Sequence, residues 1–226
     1  MTQSLKKVSL IVTIGTLASK IGGLVRQLLI AGTFGIGAAY DAYNYAYIIP
    51  GFFLILLGGI NGPFHNSMVS VLSKSTSREK SYILSSITTI TSFFLIFVTF
   101  FIFIFANQVI TIIAPGLSSS IHEIAVKQLQ IMSPIALFAG LIGLSFGALN
   151  ASKEFLIPSI SPVISSLTLI VFIGIFWLTK NLSIFATSSL TINGGVVLAI
   201  GTLAGASLQW LFQIPYLIKH KLIRIK

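Results

Sequence analysis

The chain has 226 residues, 55% of them hydrophobic and only 8% charged, with a formal net charge of +10 and a mean hydropathy of +0.99. Soluble domains carry about 25% charged residues, so this composition excludes one and points to a polytopic membrane protein. Without cysteine there are no disulfides and no thiolate metal sites.

A membrane-crossing helix needs about 20 predominantly apolar residues. Six segments meet that need: 8–33, 41–72, 81–113, 122–150, 156–179 and 192–218. The first is too long for a signal-peptide core and no small-residue cleavage site follows it, so it reads as a retained helix. Phe34-Gly35-Ile36-Gly37, Ala114-Pro115-Gly116 and Asn193-Gly194-Gly195 read as connecting turns. Segment 41–72 is too long for one straight crossing of a core about 30 Å thick. Gly58, Gly59, Asn61, Gly62 and Pro63 supply its break, since proline removes a backbone donor and glycine loosens the helix. Irregular backbone at membrane depth is tolerated where it lines a cavity. Pro158 and Pro162 shape the fifth segment, and Gln209 and Gln213 lie four apart on the sixth, facing either a cavity or a neighbouring helix.

The expected fold is an all-α membrane bundle forming a single transmembrane domain over 1–226. Its orientation follows from charge. Lys6, Lys7, Lys74, Arg78, Lys80, Lys153, Lys219, Lys221, Arg224 and Lys226 fall on one side of a six-span layout, leaving Lys180 and Lys127 for the other. Both termini are therefore expected to be cytoplasmic. The basic surplus is a topology signal, and no nucleic-acid partner is expected.

The remaining cations, Lys20 and Arg26, lie inside the first span. Each disfavours insertion by roughly 2.5–3.5 kcal/mol, so something in the folded state offsets that. Thr13, Thr16, Lys20, Gly23 and Gln27 form one helical row, and Gly15, Ser19, Gly22 and Arg26 form the next. The two rows make one polar, small-residue face. By count Lys20 sits near mid-membrane, Arg26 about 9 Å nearer the outer face, and Asp41 at that face. Two cations below one acid suit an anion site, with phosphate or diphosphate matching the guanidinium fork. The bland alternative pairs Arg26 with Asp41, lets Lys20 snorkel, and uses the small residues for helix packing.

Four acids and three histidines leave little for catalysis. No paired-carboxylate diphosphate motif, H-E-x-x-H or P-loop occurs. No catalytic residue, metal site or cofactor is expected, and the chain is not expected to be an enzyme.

Ser19-Lys20-Ile21-Gly22-Gly23-Leu24-Val25-Arg26, then Phe34-Gly35-Ile36-Gly37, Asp41-Ala42-Tyr43 and Pro50, resemble the opening of the MurJ/MviN lipid II flippases, within the multidrug/oligosaccharidyl-lipid/polysaccharide exporter superfamily. Ala114-Pro115-Gly116, Gly147-Ala148-Leu149-Asn150, Phe155, Pro158, Pro162 and Leu208-Gln209 continue the resemblance in colinear order. It implies alternating-access flipping of undecaprenyl-diphosphate-linked peptidoglycan precursor, lipid II, across the bacterial inner membrane. Lys20 and Arg26 would hold the diphosphate, with Asp41 as gate or charge partner. Gly22, Gly23, Gly59, Gly62 and Pro63 would let helices bend between states. After Pro50 this chain has Gly51-Phe52-Phe53-Leu54-Ile55-Leu56, where the family usually places two further cavity arginines.

The family has two related lobes of about fourteen helices in all, and the resemblance covers the N-terminal lobe. A second lobe or cell-wall synthesis proteins are the implied partners, besides membrane lipids. Two rival expectations are another exporter of the superfamily, for polysaccharide lipids or drugs, and a non-transporting membrane scaffold.

Overall fold

The computed structural model describes residues 5–35, 37–181 and 190–223. Helices account for nearly all of them: α1 (Leu5–Phe34), α2 (Ala38–Leu56), α3 (Pro63–Leu72), α4 (Ser77–Ile104), α5 (Ala106–Ile113), α6 (Ser119–Met132), α7 (Ile135–Ala151), α8 (Leu156–Asn181), α9 (Leu190–Leu211) and α10 (Ile214–Lys219). The all-α expectation holds. Val8–Phe34, Ser77–Ile104, Leu156–Thr179 and Gly194–Lys219 are each long and apolar enough to cross a membrane, and α6 with α7 makes a fifth candidate bent by 40°.

The expected second span is divided. α2 ends at Leu56 and α3 begins at Pro63, whose missing N–H costs nothing at a helix start. Asp41, Asn44 and four tyrosines give α2 a polar first half ahead of Pro50. Close backbone packing decides the break. A β-carbon on Gly62 would come 2.7 Å from the Leu56 carbonyl oxygen, and one on Gly143 of α7 would overlap the Leu57 carbonyl oxygen. Two further breaks differ from the expected straight spans. Phe105 interrupts 81–113 with non-helical backbone (φ −93°, ψ 15°). Pro134 bends 122–150, having no N–H for the helix ladder.

Asn193-Gly194-Gly195 is a correction: it lies inside α9 rather than in a turn. Its glycines serve contact, since β-carbons there would meet the Phe34 ring at 2.7 Å and the Gln128 amide nitrogen at 2.6 Å. Of the other expected turns, Ile36 falls outside the described residues, as do 182–189 and the terminal basic residues Arg224 and Lys226.

α7 is the central rod, with thirteen of its seventeen residues buried. α2, α3, α4 and α9 all pack on it, while α8 bridges α9 and α1. α4 turns a phenylalanine-rich face outward, Phe93 being 80% exposed, as a lipid-facing helix should. It starts on a capping box: the Thr76 side chain and Glu79 exchange bonds with each other's backbone. α7 and α10 both end in a Schellman arrangement, with Lys153 (φ 63°) and Lys221 (φ 56°) in the left-handed region.

Candidate functional site

α1 meets the bundle almost wholly through α8. The Gly15-Ser19-Gly22-Arg26 row makes that contact. A β-carbon on Gly15 would fall 2.6 Å from the Ser159 β-carbon, and Ser19 Oγ donates to the Ser159 carbonyl oxygen at 2.7 Å. The packing reading of these small residues is therefore correct for Gly15 and Ser19.

The neighbouring row stays open. Lys20 is exposed, and nothing lies within 4 Å of a β-carbon built on Gly23. Gln27 reaches across to α2, donating to Tyr40 Oη at 2.6 Å. α1 itself runs unbroken through Gly22 and Gly23.

Arg26 lines a partly open cavity of about 410 Å³ formed by α1, α2, α7, α8, α9 and residues 58–61 of the break. Its polar lining comes from Ser19, Arg26, Tyr47, Asn61, Ser165, Ser166 and Gln209. The Arg26 Nε is buried and has no hydrogen-bond partner. No ion pair joins Arg26 to Asp41; among the described residues the only contact of salt-bridge length is between His220 Nε2 and Glu154 Oε2, at 3.5 Å. A buried donor without a partner is costly, so the guanidinium is poised for an acceptor entering the cavity.

The cavity wall beside Arg26 is held by side-chain bonds. Tyr43 and Tyr47 stack with ring centroids 5.5 Å apart. Tyr43 Oη lies 2.9 Å from Thr202 Oγ1, which donates to the Leu198 carbonyl oxygen, so the tyrosine is the donor of the first bond. Gln213 Nε2 donates to the Gln209 carbonyl oxygen at 3.1 Å. Gln209 thus lines the cavity while Gln213 braces the helix end.

Of the expected site residues, Gly23, Arg26 and Gly59 line this cavity. Lys20 does not: one turn before Gly23 on the same row, it is exposed and outside the lining. Asp41 is half-buried in the first turn of α2 and makes no ion pair with Arg26. Tyr47, Ser165 and Ser166 were not singled out from sequence. Hydroxyls at 159, 161, 165 and 166 around Pro162, inside an apolar run, were the available signal.

A family model described as "Lipid II flippase MurJ" matches residues 30–225. The chain belongs to the MurJ family. It is 48% identical over 215 residues to a probable lipid II flippase MurJ of Synechocystis sp., covering 94% of this chain and 40% of that protein. It is 32% identical to the lipid II flippase MurJ of Thermosipho africanus, covering 94% and 42%. Among solved structures it is similar to a lipid II flippase MurJ in an inward closed conformation, with a TM-score of 0.76, 28% identity, and coverage of 96% of this chain and 43% of that one. The chain thus spans about two-fifths of the length of the MurJ proteins it matches.

Proposed function

We propose that this chain forms the N-terminal lobe of a flippase for lipid II in the bacterial inner membrane, with both termini cytoplasmic. Membership of the MurJ family supports the substrate class. The observation that carries the site is Arg26, a half-buried cation of the first span whose Nε has no partner and whose side chain lines the cavity. A diphosphate supplies the acceptors that this guanidinium lacks. Serine hydroxyls and the Gln209 amide beside it suit the hydroxylated remainder of a lipid-linked sugar.

In this reading Lys20 waits on the open side of α1, where a second wall would close a larger cavity. It binds the diphosphate only when that wall, a second lobe, is present. Asp41 acts near the outer end as a gate rather than as a standing partner of Arg26. The break at Gly59, Gly62 and Pro63 and the paired Gly22-Gly23 allow α2–α3 and α1 to bend during alternating access.

The test is lipid binding by the chain in lipid nanodiscs, followed by native mass spectrometry with undecaprenyl diphosphate. Arg26→Ala is expected to weaken binding at least tenfold and Arg26→Lys by less, because the charge is kept and the fork is lost. Equal binding by the parent chain and Arg26→Ala would overturn the site.

A further inference from the structure

We propose that His65 is a proton-binding site that locks the break between α2 and α3. This histidine is buried, at 8% exposure, where α3 packs on α7. A β-carbon on Gly147 would come 2.7 Å from its carbonyl oxygen, so the two helices touch backbone to backbone here.

Both ring nitrogens are engaged. Asn150 Nδ2 lies 2.7 Å from His65 Nε2. An amide nitrogen can only donate, so Nε2 accepts and the proton of the neutral ring sits on Nδ1. Nδ1 then donates to Asn66 Oδ1 at 3.1 Å. Asn66 passes the link on, its Nδ2 donating to the Asn61 carbonyl oxygen at 3.0 Å. Asn61 lines the cavity. Two bonds therefore run from a buried imidazole in α3 to Asn61 in the break, at the cavity wall.

A second proton has a place prepared for it. Asn150 Oδ1 is buried and has no partner. Turning that amide over presents Oδ1 to His65 Nε2, so a protonated ring donates at both nitrogens and the orphan acceptor is satisfied. The Schellman bonds at the end of α7 hold the Asn150 backbone during this turn, since its carbonyl accepts from Lys153 N at 3.0 Å. The cation also strengthens the bond to Asn66, because charged donors bond more strongly than neutral ones. Protonation thus tightens the tether to Asn61 and holds the break closed.

Competing charges are few. α3 has no other titratable side chain and α7 has none. From the elements flanking α7, Lys80 of α4 donates to the Ala151 carbonyl oxygen at 3.1 Å, and Glu154 is paired with His220 beyond α10. None of these bonds to His65. Burial disfavours the charged ring and pushes its titration below the ordinary imidazole value, with the Asn66 bond offsetting part of this, so the response is expected on the acid side, below about pH 6.5.

The chain has no cysteine, so the single thiol of Asn61→Cys reports on the break. Its labelling rate by a maleimide is compared, in the chain reconstituted in nanodiscs, with that of Asn61→Cys combined with His65→Gln. The ratio of the two rates cancels the intrinsic pH dependence of the thiol. That ratio is expected to fall at least threefold from pH 8 to pH 5.5. Nitrogen-15 histidine spectra should show His65 protonated at Nδ1 alone at high pH and at both nitrogens at low pH. Should His65→Gln fail to fold, Asn66→Ala serves instead: it leaves the titration in place and flattens the labelling response. A constant labelling ratio, or a His65 ring that never takes a second proton, overturns the proposal.

Discussion

Ser19 Oγ donates to the carbonyl oxygen of Ser159 at 2.7 Å, a bond between residues 140 apart in the chain. It fixes the rotation of α1 on α8, and that rotation decides which of the two cations of α1 enters the cavity. Gly15 makes the approach possible one turn earlier. Gly15→Val is expected to push α1 away and lower thermal stability in detergent, with Ser19→Ala costing only about 0.6 kcal/mol, a typical value for one interhelical bond in a membrane protein. Crosslinking cysteines placed on α1 and α8 would read the separation directly. Unchanged crosslinking in Gly15→Val would show that α1 is not seated by this contact.

Arg26→Met removes the charge but keeps most of the apolar stem. Because the Arg26 Nε has no partner, the substitution is expected to raise the melting temperature of the chain in the absence of ligand while weakening diphosphate-lipid binding. Stability and binding thus move in opposite directions, which a merely structural arginine would not do. A drop in both would mean that Arg26 holds the fold together.

Much of the fold could be read from hydropathy and punctuation, and the failures have physical causes. The break at Gly58–Pro63 was readable because proline and glycine mark it. The break at Phe105 carries neither residue, and the polar Asn107 and Gln108 beyond it were the only sign. Asn193-Gly194-Gly195 was misread because glycine serves turns and close contacts equally, and only the nearness of Phe34 and Gln128 separates the two. Helical period placed Lys20 and Arg26 on adjacent rows but could not say which row α8 would cover. The residues that line the cavity with Arg26 come from α2, the break after it, α7, α8 and α9, so no local pattern could assemble them.

Tyr43 tests how firmly the cavity wall is built. It is 5% exposed and donates to Thr202, whose own hydroxyl is committed to Leu198. Tyr43→Phe leaves the Thr202 oxygen short of one donor but creates no empty volume. The expected loss is about 0.5–1.5 kcal/mol, with Thr202→Val costing a similar amount and the double variant less than the sum of the two. Additive losses by thermal unfolding would show that the two side chains act separately.

The turn after α7 joins packing to topology. Lys153 occupies a left-handed position, φ 63°, where glycine carries no β-carbon penalty. Lysine there is strained by about 1 kcal/mol, yet it adds a cation to the side expected to be cytoplasmic. Lys153→Gly is therefore expected to stabilise the folded chain by up to about 1 kcal/mol, measured by thermal unfolding. Lys153→Val retains the strain without the charge and is expected to destabilise, since a β-branched residue tolerates this region worst. The Schellman bonds from Lys153 and Glu154 back to Asn150 and Leu149 would loosen in that variant, and with them the placement of Asn150 beside His65. Equal stability of the glycine and valine variants would show that the turn tolerates either backbone and that lysine stands there for charge alone.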